Sequence, residues 1–548
     1  ESSTTIITSL ISAIKFLLLP LTTLWAIQRL LLDQFITILR GISATTPPNK
    51  FLSVDNNYGP IQDELTDAIL QINGAIPEDL PDGIYIRNGS NPQFKPRGKY
   101  HFFDGDGHIH SVTITTKDGS DKLREAKYTN RYVRTDKYLV EKKTGHSVAY
   151  GINDFTNFFK YLDYGYQKLV FGVDHIPDHN SANTSLIYFA GRCLATFEGS
   201  LPYSVQLPSL KTIRLEDFNN TYHSGGFTAH PKIDPDTGVM YAFNYDVVKP
   251  YLKYSIIEPD GTTRMQTPID DAPFPTMHHD FLITKNYSIF IFGSVVFSFY
   301  GIVKGEPFFR FVSEKNMKIG VLPRDSFTNT PGQIKWFDAQ PGMIFHHSNA
   351  YEEDDGESIV ITTCRYSHLD LDIQLGEPEE VVADNKKADF YEYKLNMKTG
   401  MLQEGVIKFV NLSSPSSKSV AVKCEFPNIH SSLVGRKNRY VWAALAREKG
   451  EGASPGVVKI DLEKKTFLEY RCGENVFGGE WNFVEKVGAV KEQDGYIMSF
   501  THDVNNGSSY LDIVDAETMK SCTKLRMPRR IPYGFHGLYV TEKEMMSI

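Results

Sequence analysis

The chain has 548 residues, a formal net charge of −8, and 41% hydrophobic and 12% aromatic residues. This charge gives no basic stripe of the kind that nucleic-acid binding requires, so we exclude that class. The length allows two or three domains, or one large symmetric domain such as a propeller or barrel. The five cysteines form no CxxC pair, which argues against a disulfide framework or a thiolate zinc site and favours a reducing compartment: Cys193, Cys364, Cys424, Cys472 and Cys522.

The N-terminal segment, residues 1–44, is strongly apolar and predicts helices. Pro20 is expected to kink or break this helical region. The uncharged run Phe16–Gln28 is shorter than the ~20 residues that a membrane-spanning helix needs. We therefore expect helices that lie in a membrane interface with Trp25 at head-group level, the alternative being helices that pack against the main domain. Residues 45–57 are interpreted as a linker.

Residues 58–548 show short apolar strands separated by turns rich in Gly, Asn, Asp and Pro, such as Asp234–Gly238. Many short strands with recurring hairpin turns indicate an all-β fold that is closed or radially repeated. Because no strict repeat is visible, we expect a degenerate β-propeller. One aromatic stretch, residues 153–173, predicts a helical insert. It either caps the propeller, lines an entrance or belongs to the ordinary core.

Four histidines, far apart in sequence, each adjoin an apolar strand and a small or turn-forming residue: His230, His279, His346 and His536. The inner strands of a propeller surround one axis, so side chains from separate blades can meet there. Four neutral imidazoles without thiolate favour iron(II), copper or zinc. The competing interpretation is that each histidine is an ordinary hydrogen-bonded residue.

Three glutamates occur in apolar, strand-like contexts: Glu198, Glu425 and Glu480. A buried carboxylate without a partner is costly, so each of these side chains is expected to have one. Metal-bound histidines normally donate their second ring N–H to a carboxylate, which fixes the tautomer. The glutamates are therefore candidate partners of the four histidines.

From about residue 58 to its end, the sequence resembles the carotenoid cleavage dioxygenase family of plants and cyanobacteria. Seven motifs occur in that family's order: Gly83–Pro92, His101–Gly107, Thr228–Lys232, Met277–Phe281, Phe345–Ala350, Phe477–Glu480 and Gly534–Gly537. The resemblance implies a seven-bladed β-propeller with a non-haem Fe(II), one per chain, and O2 as co-substrate. The implied reaction cleaves a conjugated C=C bond of a carotenoid or apocarotenoid to two carbonyl products.

Matching the motifs residue by residue implies that the metal-binding and catalytic histidines are His230, His279, His346 and His536. It also implies that Glu198, Glu425 and Glu480 are the carboxylates behind them. His278 and His347, the other members of two doublets, are then neighbours and not ligands. The family's Gly-Gly-Glu is usually followed by proline, whereas here Trp481 follows, and this difference is expected to affect how Glu480 is held.

Three phenylalanines next to these positions are expected to line the substrate tunnel, the alternative being propeller core: Phe345, Phe426 and Phe535. A carotenoid resides in a bilayer, so residues 1–44 are expected to attach the protein to one membrane leaflet. The family's plant members imply a plastid location, with the cytosol as the alternative. No obligate protein partner is expected.

Several functions stay open within the resemblance. A stilbene-type olefin-cleaving oxygenase would have the same iron site. A Tyr-Lys pair in the tunnel that recognises a phenol would distinguish it. A retinoid-type isomerohydrolase would take up no oxygen. A carotenoid-binding propeller without activity is the alternative from another class, and a specialised apocarotenoid enzyme, such as one like zaxinone synthase, stays open among the cleavage enzymes.

Overall fold

The computed structural model describes residues 57–96, 100–117, 123–147, 180–297, 309–369, 386–414, 418–447 and 453–546. Their strands form seven blades of a β-propeller, which confirms the predicted all-β architecture. The predicted N-terminal helices, the linker up to residue 56 and the helical insert near 153–173 lie outside the described residues.

Blades 1 to 4 follow one another along the chain, and each is an antiparallel four-stranded sheet. Blade 1 contains Ser185–Phe189, Arg192–Thr196, Tyr203–Gln206 and Lys211–Leu215. Blade 2 contains Lys232–Ile233, Met240–Tyr245, Leu252–Ile257 and Thr263–Pro268. Blade 3 contains Leu282–Ile283, Tyr287–Phe292, Met317–Pro323 and Lys335–Ala339, with the additional strand pair Val295–Phe297 and Phe309–Phe311. Blade 4 contains Met343–Glu353, Ser358–Tyr366, Asp389–Asn396 and Leu402–Val406.

Blades 5 to 7 carry extra strands at their outer edges. Blade 5 contains Cys424–Asn428, Tyr440–Leu445, Gly456–Asp461, Thr466–Arg471, Lys408–Asn411 and Ser419–Ala421. Blade 6 contains Val476–Gly478, Asn482–Glu485, Gly495–Asp503, Ser508–Asp515, Ser521–Arg526 and Gln71–Asn73. Blade 7 contains Gly537–Thr541, Gly83–Arg87, His108–Thr116, Arg124–Tyr132 and Ala68–Ile69.

Helices are few and short in the described part of the chain. The α-helices are Asp136–Thr144 and Glu542–Met546, and the 3-10 helices are Phe102–Asp104, Asp354–Gly356 and Ser431–Leu433. None of the described helices has the length and hydropathy needed to cross a bilayer. Strand pairing therefore provides most of the regular backbone hydrogen bonds.

The hydrophobic core lies between the blades. Each pair of adjacent blades encloses its own cluster of buried apolar side chains. Between blades 5 and 6, for example, the fully buried Trp442 and Trp481 pack with Ile497 and Val514. Because these clusters separate neighbouring sheets, the apolar side chains are buried without occupying the axis. The axial space is left for the polar residues that precede or begin the inner strands.

The ring is closed by pairing strands from the two ends of the described chain. Gly537–Thr541 pairs antiparallel with Gly83–Arg87, and Glu542 N donates to Asp82 O over 2.8 Å. In blade 6, Gln71–Asn73 pairs with Ser521–Arg526. Two blades thus depend on chain segments that are more than four hundred residues apart.

Candidate metal centre

Every blade contributes one charged or ligating side chain to the axis. From blades 1 to 7 these are Glu198, His230, His279, His346, Glu425, Glu480 and His536. Six of them stand directly before or inside an innermost strand, whereas Glu198 follows the second strand of blade 1. Since each inner strand begins near the axis, these six side chains meet there although they are widely separated in sequence, and Glu198 joins them from the end of the second strand of blade 1.

The four histidines form one compact cluster. The Nε2 atoms of His230 and His279 are 3.0 Å apart, those of His279 and His346 are 3.2 Å apart, and those of His346 and His536 are 3.1 Å apart. All four ligand atoms lie within 4.8 Å of one another. His279, His346 and His536 are buried, and His230 is partly exposed.

Three of these imidazoles are oriented by the predicted glutamates. The Nδ1 atom of His279 is hydrogen-bonded to Glu198 Oε1. The other two pairs are His346 Nδ1 with Glu425 Oε2 over 2.6 Å and His536 Nδ1 with Glu480 Oε1 over 3.0 Å. An ionised carboxylate only accepts, so wherever the glutamate is ionised, Nδ1 carries the proton and a neutral ring presents an Nε2 lone pair. This tautomer is the one that a metal-binding histidine needs.

The arrangement of lone pairs fits a bound cation. Nitrogen lone pairs about 3 Å apart repel each other unless a positive charge lies between them. A site made of nitrogen ligands alone suits Fe(II), copper or zinc better than magnesium or calcium, which prefer oxygen. The donor set therefore fits a divalent transition-metal ion.

Burial controls the protonation of the cluster. Burial and the neighbouring imidazoles lower the pKa of His230 and of His346 well below the usual value, so both rings stay neutral and able to ligate. At His279, burial also acts to lower the pKa, but the Glu198 carboxylate outweighs it and the net shift is upward. Burial raises the pKa of Glu425 to about 8.

Two β-bulges shape the innermost strands of blades 4 and 5 at the site. The pairing register shifts after Ile344, immediately before Phe345 and His346, and again in blade 5 after Glu425. Phe426, within the second bulge, has a positive φ of 51°. Bulges bend a strand and re-aim its side chains, which brings His346 and Glu425 together across two blades.

The tryptophan that replaces the family's usual proline does not disturb Glu480. Trp481 is fully buried in the core between blades 5 and 6. Glu480 Oε2 accepts hydrogen bonds from Gly537 N over 2.8 Å and from Asn482 Nδ2 over 3.0 Å. Burial acts to raise the pKa of Glu480, but the neighbouring His536 outweighs it and keeps the carboxyl acidic.

One member of each histidine doublet, His278 or His347, lies outside the cluster. The His278 ring packs among Phe243, Phe290 and Phe292, with ring centroids 5.1, 5.5 and 5.1 Å away. Burial lowers its pKa to about 3, so it is a neutral packing residue. The Nδ1 atom of His347 lies 3.1 Å from Thr363 Oγ1. Of the two doublets, only His279 and His346 belong to the four-histidine cluster.

Asp280 fixes the backbone beside two of these histidines. Its Oδ1 is 2.7 Å from Lys232 Nζ, and its Oδ2 accepts from His347 N over 2.9 Å. Burial acts to raise the pKa of Asp280, but Lys232 and His347 outweigh it, and the pKa lies at about 2. The ionised carboxylate thus stabilises the fold above the unfolded-state value of 3.8, and this stabilisation is lost as the pH falls towards 2.

We expect Asp280→Asn to lower the free energy of unfolding at pH 7 by about 3 kcal/mol, because Lys232 is left without its counter-ion. Thermal unfolding of the variant and of Asp338→Asn would measure this. Asp338 is the matched control, since its ion pair with Lys318 is exposed. Equal midpoints for the two variants would contradict the structural role of Asp280.

Two of the three predicted tunnel phenylalanines touch the histidine cluster. Phe426 stacks on His346 with centroids 4.7 Å apart and an interplanar angle of 30°. The Phe345 ring meets His279 edge-on at 5.5 Å. Phe535 instead packs against Phe102 and Phe103, at 4.8 and 5.5 Å. The aromatic side chains therefore form apolar surfaces beside the cluster.

A cavity of about 430 Å³ lies among the inner strands of all seven blades, and its lining includes residues one to three positions after those of the cluster, such as Ile233, Leu282 and His347. The four cluster histidines are not among its lining residues.

Sequence reasoning missed several side chains that hold the site. Tyr245 OH donates to Glu198 Oε2 over 2.9 Å, and nothing in its strand distinguishes it from a core residue. Arg87 Nη2 donates to Pro532 O over 2.8 Å and so supports the loop before His536. The sequence signal that could have found Arg87 is a charged residue at the end of the apolar strand Gly83–Arg87, because an arginine buried there requires partners.

The fold and the axial cluster together define a seven-bladed β-propeller with a four-histidine centre backed by three carboxylates. The family model described as "Retinal pigment epithelial membrane protein" (RPE65) matches residues 58–541. Carotenoid 9,10(9',10')-cleavage dioxygenase 1 of Pisum sativum is 35% identical, with 91% of each chain covered. The chain therefore belongs to the RPE65/carotenoid cleavage dioxygenase family.

Solved structures agree with this membership. A cobalt-substituted apocarotenoid oxygenase (ACO) of Synechocystis has a TM-score of 0.70 and 26% identity, covering 88% of this chain and 97% of that one. The lignostilbene dioxygenase of Pseudomonas brassicacearum has a TM-score of 0.75 and 22% identity, covering 91% and 100%. The second likeness concerns the fold alone.

Proposed function

We propose that the chain is a non-haem Fe(II) dioxygenase that cleaves a conjugated C=C bond of a carotenoid or apocarotenoid into two carbonyl products. The observation that carries this proposal is the convergence of four Nε2 atoms on the propeller axis. The family membership supports it, since the relative from Pisum sativum is named for carotenoid cleavage and the Synechocystis neighbour for apocarotenoid oxygenation.

In this proposal His230, His279, His346 and His536 hold the metal. Four protein ligands leave further coordination positions of an iron ion free for other molecules. Fe(II) supplies the activation of O2 that cleavage of the double bond requires. Glu198, Glu425 and Glu480 keep the Nδ1 protons of three histidines in place, so that the Nε2 lone pairs face the metal throughout the reaction.

The aromatic side chains beside the cluster would bind and orient the polyene. Phe426 covers one face of His346, and Phe345 stands edge-on to His279. Such apolar surfaces exclude water and accept a flat, conjugated hydrocarbon. Binding that holds one C=C bond of the polyene beside the metal would determine which bond is cleaved, because only that bond reaches the reacting centre. Phe535 is proposed to extend this surface towards Phe102 and Phe103.

Membrane attachment and a plastid location complete the proposal. Carotenoids reside in bilayers, and residues 1–44 are apolar and interrupted by a proline, as expected of interfacial helices. Some relatives are named as chloroplastic, among them a probable carotenoid cleavage dioxygenase of Arabidopsis thaliana that is 32% identical. Flotation with galactolipid vesicles, compared for the full chain and a variant lacking residues 1–44, tests the attachment.

Incubation with a panel of carotenoids, apocarotenals and stilbenes under 18O2 tests the reaction. We expect an apocarotenoid or carotenoid to be split into two products, identified by mass, with 18O in the carbonyl groups. Products from stilbenes alone would favour the olefin-cleaving alternative. Turnover without 18O uptake would favour an isomerohydrolase, and tight carotenoid binding without turnover by iron-loaded protein would favour a binding protein.

A further inference from the structure

Tyr245 ends the second strand of blade 2 and reaches across to the carboxylate that orients a histidine of blade 3. Its hydroxyl donates to Glu198 Oε2 over 2.9 Å, while Glu198 Oε1 is hydrogen-bonded to His279 Nδ1. The two oxygens of this glutamate from blade 1 are thus held by side chains from two other blades. Tyr245, Glu198 and His279 form a continuous hydrogen-bonded chain that ends at the four-histidine cluster.

We propose that Tyr245 is a positioning residue of the metal centre, which fixes Glu198 and through it the ring of His279. This inference rests on the proposed metal-binding function and extends it to a residue that touches neither metal nor substrate. The hydroxyl sets the rotation of the carboxylate, because it occupies the oxygen that His279 leaves free. The ring of His279 is thereby held with Nε2 towards the other three imidazoles.

A comparison within the same site supports this role. Glu480 has its second oxygen held by the backbone N–H of Gly537 and by Asn482. Glu425 accepts from the backbone N–H of Phe426 over 2.8 Å at Oε2, the oxygen that also pairs with His346. At Glu198 the donor to the second oxygen is the side chain of Tyr245. A hydroxyl can be removed by substitution whereas a backbone N–H cannot, and at Glu480 the backbone N–H of Gly537 would remain after Asn482 was changed. At Glu198, Tyr245→Phe removes the donor to Oε2.

The phenol is suited to act as a constant donor. Burial, followed by the charge of Glu198 and the hydrogen bond to it, raises the pKa of Tyr245 well above the usual value. The hydroxyl therefore keeps its proton at all physiological pH values, and the carboxylate always has this partner. Removing the hydroxyl would leave an oxygen of the partly buried Glu198 carboxylate without its donor, which costs stability.

The same strand, Met240–Tyr245, provides a matched control. Tyr241 is also a tyrosine that donates to a carboxylate, with 2.8 Å between its hydroxyl and Asp325 Oδ1. Asp325 lies in the turn that follows the third strand of blade 3, away from the four histidines. Tyr241→Phe and Tyr245→Phe therefore remove the same chemical group from one strand, and only the second change affects the chain that ends at His279.

The test measures the binding of Co(II) and Fe(II) to wild type and the two variants by chelator competition, together with the Co(II) absorption spectrum. We expect Tyr245→Phe to weaken the binding of both metals about 10-fold and to change the cobalt spectrum, as loss of an outer partner of a ligand does. Tyr241→Phe should match wild type in both. Because ligand binding raises the unfolding midpoint, the shift caused by metal should shrink in Tyr245→Phe alone.

A second measurement separates positioning from a general loss of stability. In a Glu198→Gln background, Tyr245→Phe should have little further effect on metal affinity, because the two side chains act in series. Unchanged affinity and spectrum in Tyr245→Phe, or equal losses in both tyrosine variants, would overturn the inference while leaving the metal site itself established. Absence of stoichiometric metal binding by wild type would overturn the proposed function and the inference with it.

Discussion

Replacing His346 by alanine is expected to remove both the bound metal and the dioxygenase activity. His346 is central in the cluster, since its Nε2 lies 3.2 Å from that of His279 and 3.1 Å from that of His536. Its loss also leaves Glu425 without the Nδ1–H that it accepts. We expect a drop in metal affinity beyond the ~100-fold that marks the loss of an outer partner, measured as iron per chain after desalting.

The adjacent residue supplies the control for this experiment. His347 belongs to the same strand, but its Nδ1 lies by Thr363 and it is not part of the four-histidine cluster. His347→Ala is expected to keep its metal, with a modest loss of stability. His230→Ala, which alters another blade, should repeat the result of His346→Ala. Iron retained by His346→Ala, or lost from His347→Ala, would show that the doublet was assigned the wrong way round.

Gly534→Ala is expected to be the most damaging glycine substitution near the site. An added Cβ would lie 2.6 Å from both Arg87 Cζ and Asn88 O. These atoms belong to the residues that hold the loop, since Arg87 donates to Pro532 O, Phe535 N donates to Asn88 O and Asn88 N donates to His536 O. The loop must therefore move, and His536 moves with it.

Overpacking of this kind usually lowers the free energy of unfolding by about 1–3 kcal/mol. We expect a value at the upper end, because the neighbouring backbone atoms cannot easily move away from the added methyl group. We expect a lower unfolding midpoint and weaker metal binding in the same variant, measured by calorimetry with and without added metal. Gly479→Ala is the matched control, because its added Cβ would meet its nearest atom, Gly534 O, at 3.9 Å. Similar behaviour of the two variants would disprove the tight fit at Gly534.

The sequence predicted the architecture and the composition of the cluster for identifiable reasons. Short alternating strands and turn residues indicate a radial all-β fold, and the four histidines stand out because each adjoins an apolar strand. The apolar setting pointed to His279 and His346, and the motif match implied that His278 and His347 are neighbours and not ligands. The structure explains the difference through the aromatic surroundings of His278 and the bulge before His346.

Contacts between blades could not be predicted from the residues. In the sequence, Tyr245 looks like an ordinary strand residue. Its hydrogen bond to Glu198 depends on how blades 1 and 2 are placed around the axis. The position of the Phe535 ring could not be predicted either. Phe535 is adjacent to His536 in the sequence, yet its ring packs against Phe102. Trp481 was expected to affect Glu480, but the indole is buried between blades and leaves the carboxylate bonded.

Ring closure by Gly537–Thr541 has a consequence for biogenesis. The last histidine of the cluster, His536, directly precedes the strand that completes blade 7 against Gly83–Arg87. A nascent chain on the ribosome therefore possesses three imidazoles but no complete coordination sphere until this final strand has emerged. A polypeptide terminated before residue 536 would therefore lack both the strand that closes the ring and the fourth histidine of the proposed metal site.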